Sequence, residues 1–266
     1  MKLFYPFLLL YCISITSYAQ KLPDVQTTSI SAPTTTRIDG KNLEWNTFSA
    51  ENKRTGLLYT IANDDKNLYL ALKATSSETI NKIFAGGISF SINAKGKKRE
   101  EDASTITYPL VGRNNANRGG GGQGGTNRQR MGQGRADQSQ EQKDSQLVAI
   151  KEIKVKGFNI TDSLISIYNE YGIKAVAKMD EQKAYFCEIA IPLAALEVAV
   201  NDKKEIAYQI KLNGRQGGDF TQRSNSGAGG FGGGNNRGGF GGGNNNAAQQ
   251  DLMVATDFWG KYIIQK

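Results

Sequence analysis

The amino-acid sequence predicts an all-β protein, an antiparallel β-sandwich of jelly-roll or immunoglobulin-like type with one or two short helices. Short apolar runs recur along the chain, and they are rich in the β-branched and aromatic side chains that favour strands. Helical periodicity is confined to brief segments, so units in which strands and helices alternate are not indicated. Strands that follow one another at such short intervals pair in antiparallel fashion and stack as two sheets.

A β-hairpin at residues 57–72 is the clearest element of the prediction. Residues 57–61 and 68–72 form apolar arms, and residues 63–67 form a turn of Asn and Asp side chains that accept turn geometry. Beyond it, Thr75 and Glu78 match the spacing of a capping box, and the next apolar residues recur at helical intervals. The other predicted strands are 88–92, 105–111, 147–155, 164–168, 173–177, 184–191, 205–212 and 256–264, with one helical turn at 193–196.

Two low-complexity inserts interrupt this pattern, at residues 112–146 and 214–250. Both are rich in Gly, Asn and Gln and offer little to bury, so both are predicted to be disordered loops. Neither half of the chain carries enough strands to close a core alone. We therefore predict one sandwich domain at residues 37–266, preceded by a flexible lead-in at residues 20–36.

Residues 1–19 have the pattern of a secretory signal, with Lys2 before an apolar run and a small-residue cleavage site ending near Ala19. The apolar run is shorter than the roughly 20 residues that span a bilayer, so no transmembrane segment is predicted in the mature chain. Tyr11 before Cys12 argues against a lipid anchor. The chain is predicted to be exported to the periplasm, the cell surface or the medium, with Cys187 as its one remaining cysteine.

The sequence argues against several kinds of catalytic chemistry. It contains no histidine, which removes the usual hydrolytic triads and the imidazole ligands of catalytic zinc. Cys187 lies in an alternating apolar run typical of a buried thiol. The adjacent acids lie in turns, where solvated charge is commoner than an acid–base pair. We therefore predict no enzyme, no catalytic residue, no metal and no cofactor, and a carboxylate-based carbohydrate-active enzyme is the weakest alternative.

Three further patterns have competing interpretations. Asn63, Asp64, Asp65 and Asn67 offer oxygen ligands for Ca²⁺, but turn formation is the favoured role. Residues 159–161 match a glycosylation sequon, which arises easily by chance. Arginine and phenylalanine among glycines in the inserts resemble single-strand nucleic-acid binders. The export signal disfavours nucleic acid, so self-association or contact with polyanionic surface polymers is favoured.

Trp45 and Trp259 are the candidate carbohydrate-binding residues. Each lies near the end of a predicted strand, where an indole face can pack on the apolar face of a pyranose ring. Large aromatic side chains also dominate the cores of sandwiches, so packing is the competing and favoured role for each.

Four segments together carry a family resemblance: residues 38–40 with 44–45, 67–72, 87–92 and 186–193. In order and spacing they resemble the carbohydrate-binding module family 9-like, DOMON-related β-sandwich. The resemblance implies one sandwich in an exported bacterial protein, with carbohydrate or a redox cofactor bound at one end. Haem-binding relatives use methionine and histidine, and the absence of histidine disfavours haem. The matched residues resemble fold determinants, with Asp39 and Gly40 in a turn and Pro192 ending a strand.

The predicted function is that of a secreted, non-catalytic binding module with a polysaccharide or another cell-surface polymer as its partner. The alternative is a structural or adhesive protein that acts through its Gly/Asn/Arg-rich loops.

Overall fold

Strands in two antiparallel sheets dominate the computed structural model, which describes residues 21–45, 47–111, 140–199, 204–215 and 251–265. This confirms the predicted all-β antiparallel sandwich. The signal segment 1–19 and most of both inserts lie outside the described residues. The first sheet has the strand order β1 (Ala50–Asn52), β2 (Leu57–Asn63), β3 (Asn67–Ala74), β9 (Tyr185–Pro192) and β8 (Lys174–Met179). The second has the order β11 (Thr256–Ile263), β10 (Glu205–Leu212), β4 (Ile88–Asn93), β5 (Ser104–Tyr108), β6 (Glu152–Lys156) and β7 (Leu164–Ser166).

The predicted hairpin is present as β2 and β3, with Leu57 opposite Ala74 and Asn63 opposite Leu68. Side chains on alternate positions of both sheets meet in one apolar core. Tyr59 of the first sheet packs there on Phe258 of the second, with ring centroids 5.2 Å apart. The core therefore joins segments from both sides of the two predicted inserts.

Helix α1 (Ser77–Gly86) connects the two sheets and confirms the predicted helix, with a different cap. Ser76 is the N-cap residue, and its side chain accepts a hydrogen bond from the backbone N–H of Thr79 at 3.1 Å. The cap is thus one residue later than the spacing of Thr75 and Glu78 suggested. The predicted single helical turn is a 3₁₀ helix, Leu193–Leu196.

Helix α2 (Gln140–Val148) corrects the boundary of the first insert, which the sequence extended to residue 146. The helix is polar in composition, and its order comes from contacts with β8. The backbone N–H of Met179 donates to Asp144 Oδ1 at 3.1 Å, and Gln140 Nε2 donates to the carbonyl of Asp180 at 2.8 Å. Leu147 is buried in the core at the end of the helix.

A flexible lead-in was predicted at residues 20–36, but its described part, residues 21–36, covers the free edge of β2 beyond β1. Gln26 is buried, and its side-chain amide pairs with both the carbonyl and the N–H of Ile61 at 2.8 Å. Further along, Asn63 donates to the carbonyl of Ile30, and Ala32 donates to the carbonyl of Asn63. An open strand edge is a template for aggregation, so this segment protects the sheet.

Candidate functional site

Trp45 is held by a buried carboxylate on the outer face of the first sheet. Its indole Nε1 donates to Glu188 Oε1 at 2.8 Å. The backbone N–H groups of Asp39 and Gly40 donate to Glu188 Oε2 at 3.1 and 2.8 Å. Gly40 has φ +77°, and a side chain there would press on Val176 and Lys178 of β8. We call this arrangement the Glu188 clamp.

The Glu188 clamp leaves Trp45 only 4% exposed. The indole lies 6.4 Å from the Tyr69 ring, in a small apolar cluster separate from the main core. Burial raises the pKa of the Glu188 carboxyl, and the three N–H donors oppose that rise. With its ring covered and its N–H engaged, Trp45 has no free face for a sugar. The other buried members of the cluster are Ala62, Ala71, Phe186 and Ala190.

Trp259 lies on the other side of the molecule, at the edge of the second sheet. It is opposite Gln209 of β10, and it alternates with the core residues Phe258 and Tyr262, so its side chain faces outward. It is half-buried. Beside it, Gln209 Nε2 donates to Glu100 Oε1 at 2.8 Å and to Asp257 Oδ2 at 2.7 Å. The fold therefore does not bring the two tryptophans together.

The proposed calcium ligands of the first hairpin take part in hydrogen bonds within the chain. Asp64 Oδ1 accepts from the backbone N–H groups of Lys66 and Asn67, and Asp64 Oδ2 accepts from the Tyr69 hydroxyl at 2.7 Å. Asn63 Oδ1 accepts from the Tyr262 hydroxyl at 3.0 Å. These hydrogen bonds stabilise the turn and connect the hairpin to β11.

Two exposed tyrosines lie in the connection between β7 and β8, a segment of residues 167–173 that we call the tyrosine loop. Tyr168 is 81% exposed and Tyr171 is 38% exposed. They are the exposed tyrosines among the described residues, and aromatic rings that combine an apolar face with a polar tip are enriched at binding surfaces.

Asn169 gives the tyrosine loop a defined shape. Its Nδ2 donates to the carbonyls of Ser166 at 2.8 Å and Ile173 at 2.7 Å, and its Oδ1 accepts from the N–H of Ile173 at 3.3 Å. The Tyr168 N–H donates to Ser166 Oγ at 3.1 Å. Gly172, with φ +73°, provides the left-handed turn that returns the chain to β8. Hydrogen bonds within the loop therefore fix the backbone that carries the two rings.

The tyrosine loop borders a shallow depression of about 410 Å³. Two carboxylates, Asp162 and Glu170, line it together with both tyrosines. A second depression, of about 480 Å³, runs along the polar surface of α2, and the described residues that line it include no aromatic side chain. The first depression combines aromatic rings with hydrogen-bonding groups, and for that reason we take it as the candidate site. Its remaining lining residues are Leu164, Ile165, Ser166 and Asn169.

This site was not predicted from the sequence. Residues 164–168 and 173–177 were predicted as strands, and the residues between them were given no role. The available signal was the segment Tyr168, Asn169, Glu170, Tyr171, Gly172, in which two aromatic residues occur in a short polar connection that ends at glycine. A tyrosine in such a connection has no strand partner that would bury it.

Cys187 lies in the core, where burial raises the pKa of its thiol to about 12. Since the thiolate is the nucleophile, this residue is inert in the folded protein. Within the described ranges, no group of three or more acidic or cysteine side chains converges as a metal site. None of the helices that the structure describes has the length and apolar character needed to cross a membrane.

Comparison of the chain with protein-family models found no match, and comparison with curated proteins found none either.

Proposed function

We propose that this protein is a non-catalytic, exported glycan-binding module and that the tyrosine loop is its binding surface. The observation that carries the proposal is that Tyr168 and Tyr171 are solvent-exposed on a loop closed by Asn169 and share a depression with Asp162 and Glu170. Aromatic faces pack on the C–H face of a pyranose ring, while carboxylates accept hydrogen bonds from its hydroxyl groups.

The fold supports a binding role for this loop. Asn169 holds the backbone before any ligand arrives, so little conformational entropy is lost when a ligand orders the rings. The loop also joins the edge strands of the two sheets, where side chains can change without disturbing the core. The absence of histidine from the sequence and the burial of Cys187 support the proposal of a non-catalytic role.

The test is glycan binding by the mature protein and by Tyr168→Ala and Tyr171→Ala. We expect each substitution to weaken binding about three- to tenfold, because an aromatic contact contributes roughly 0.5–1.5 kcal/mol. Leu43→Ala is the matched control, since Leu43 is 70% exposed and lies outside the loop. Binding that survives both tyrosine substitutions unchanged would refute the assignment of the site.

A second candidate function is surface association through the two Gly-rich inserts. It is favoured because residues that flank the inserts contact the same helix, α1. Asn213 donates to the carbonyl of Gly87 at the end of α1, and Lys82 of α1 pairs with Asp251 at 3.5 Å. On the first insert's side, Lys143 Nζ donates to Asn81 Oδ1 of α1 at 3.1 Å. Residues that flank both inserts therefore meet around one helix.

The first insert carries five arginines before its first acid, Asp137, so a polyanionic surface polymer is its natural partner. Deleting residues 112–139 and 216–250 distinguishes the two functions. Unchanged glycan binding with loss of association with an anionic polymer would assign the second activity to the inserts. Unchanged association would exclude it. The five arginines are Arg113, Arg118, Arg128, Arg130 and Arg135.

A further inference from the structure

We infer that the depression beside the tyrosine loop selects uncharged glycans and rejects anionic ones, an inference that rests on the proposed function. It follows from the hydrogen-bonding capacity that the lining residues leave to a ligand. Several of the polar groups are already used within the loop, and the charged groups that remain among the described lining residues are both carboxylates.

Asn169 and Ser166 are used by the loop itself. The amide of Asn169 makes three hydrogen bonds with Ser166 and Ile173, and Ser166 Oγ accepts from the Tyr168 N–H. The Asn169 side chain therefore fixes the shape of the depression, whereas Ser166 keeps its O–H as a donor.

Asp162 and Glu170 are the charged groups left for recognition, beside the hydroxyls of the two tyrosines and Ser166. Both acids are exposed, and neither is within 4.0 Å of a Lys or Arg partner in the described chain. A carboxylate accepts hydrogen bonds and cannot donate them. The ligand must therefore supply donors, which the hydroxyl groups of a sugar do.

The charge of the lining gives the selectivity. No lysine or arginine is among the described residues that line the depression, and two carboxylates are. A uronate or sulfate group seated there would face like charges with no compensating cation among the described lining residues. A hexose or pentose polymer has no charge to be repelled, and its hydroxyl groups can donate to the carboxylates. Like-charge contact of this kind acts as a penalty against the wrong ligand.

The experiment uses the full mature protein with a neutral β-glucan, a neutral xylan and polygalacturonate, at low and high salt. For each polymer it measures the part of the binding that Tyr168→Ala abolishes, so that attraction of polygalacturonate to the arginines of the first insert is not counted. We expect the better neutral polymer to bind at least about tenfold more tightly than polygalacturonate at low salt, a gap that narrows as salt screens the carboxylates. The double variant Asp162→Asn, Glu170→Gln should keep the fold, because both side chains are exposed. In that variant, polygalacturonate should bind several-fold more tightly and the neutral polymer more weakly.

The outcomes separate this inference from the function on which it rests. Polygalacturonate that binds as tightly as the neutral polymers, in a manner that Tyr168→Ala abolishes, would leave the glycan site standing and overturn the selectivity. A preference unchanged in the double variant would overturn it too. If no polymer shows binding that depends on Tyr168, the proposed function fails and the inference fails with it.

Discussion

Trp45 and Tyr168 are both aromatic residues outside the strands, yet one is 4% exposed and the other 81%. The difference comes from their neighbouring carboxylates. Glu188 is fully buried and gathers the indole N–H and two backbone N–H groups, so it fixes Trp45 against the sheet. Glu170 is exposed beside Tyr168 and makes no such bond, so the ring and the acid both face solvent.

An aromatic residue beside an acid is fixed in the fold when the acid already receives hydrogen bonds from it and its neighbours, as at Glu188. Where the acid is exposed and receives none from the described residues, as at Glu170, the ring and the acid remain open to a ligand. The donors of Glu188 come from segments that the sequence resemblance had matched, residues 38–40 and 44–45 against 186–193. Those segments are therefore joined by one carboxylate, as expected of fold determinants. The tyrosine loop lies outside all of them.

The largest expected effect is on stability, from Trp45→Ala. Removing this buried ring leaves a cavity and takes away the indole donor of Glu188. We therefore expect the free energy of unfolding, measured in urea, to fall by about 3–5 kcal/mol. Trp259→Ala, at a half-buried edge position, should cost about 1 kcal/mol or less. Equal losses for the two variants would break the assignment of Trp45 to the fold.

A smaller effect is expected in the pH dependence of stability, which Glu188→Gln isolates. The pKa of Glu188 is raised by burial in the folded state, so the folded protein holds this proton more tightly than the unfolded chain does. Its contribution is fully present below the ordinary pKa of 4.5 and is lost as pH rises through the raised folded pKa.

The measurement is the difference in unfolding free energy between wild type and Glu188→Gln, determined from pH 4 upward. We expect wild type to lose stability relative to the variant over that window, because Gln cannot ionise. Asp64, Glu100 and Asp180 have lowered pKa values and change stability in the opposite sense, but they are common to both proteins and cancel. A flat difference curve would contradict the raised pKa.

A small effect on stability is expected from Asn169→Ala. The loop would lose three hydrogen bonds at the surface, so unfolding should change by about 1 kcal/mol, while glycan affinity should fall several-fold because the rings are no longer held in place. Hydrogen exchange of the Ile173 amide is the direct readout. Asn159→Ala, at an exposed asparagine outside the loop, is the control, and an equal loss of affinity there would refute preorganisation by Asn169.

The fold class could be predicted because strand patterning is local, whereas the roles of individual residues depend on distant partners. Trp45 is buried by a glutamate 143 positions later, and no local pattern shows that pairing. Helix α2 was missed for the same reason, because Gln140 and Asp144 are ordered by β8 and the residue that follows it. The packed state of Gln26 likewise depends on Ile61.

The candidate site was harder to predict than the fold. It depends on which side chains are exposed to solvent, and exposure is known only from the folded structure. The two tryptophans were the candidates from the sequence because a large ring can pack on a sugar, but Trp45 is buried and Trp259 is half-buried. Tyr168 was predicted at the end of a strand and Tyr171 in the connection after it, and neither position shows whether the ring is packed or exposed. Their exposure is seen only in the folded structure, where Asn169 fixes the loop.

The backbone N–H of Arg215 donates to the carbonyl of Leu252 at 2.7 Å, so β10 and β11 are already fastened together at the point where the intervening 36 residues begin and end. A short glycine bridge across that gap would join the same two strands without stretching either. The result would be a trimmed protein with its hairpin intact, better suited to crystal growth and to titration by NMR.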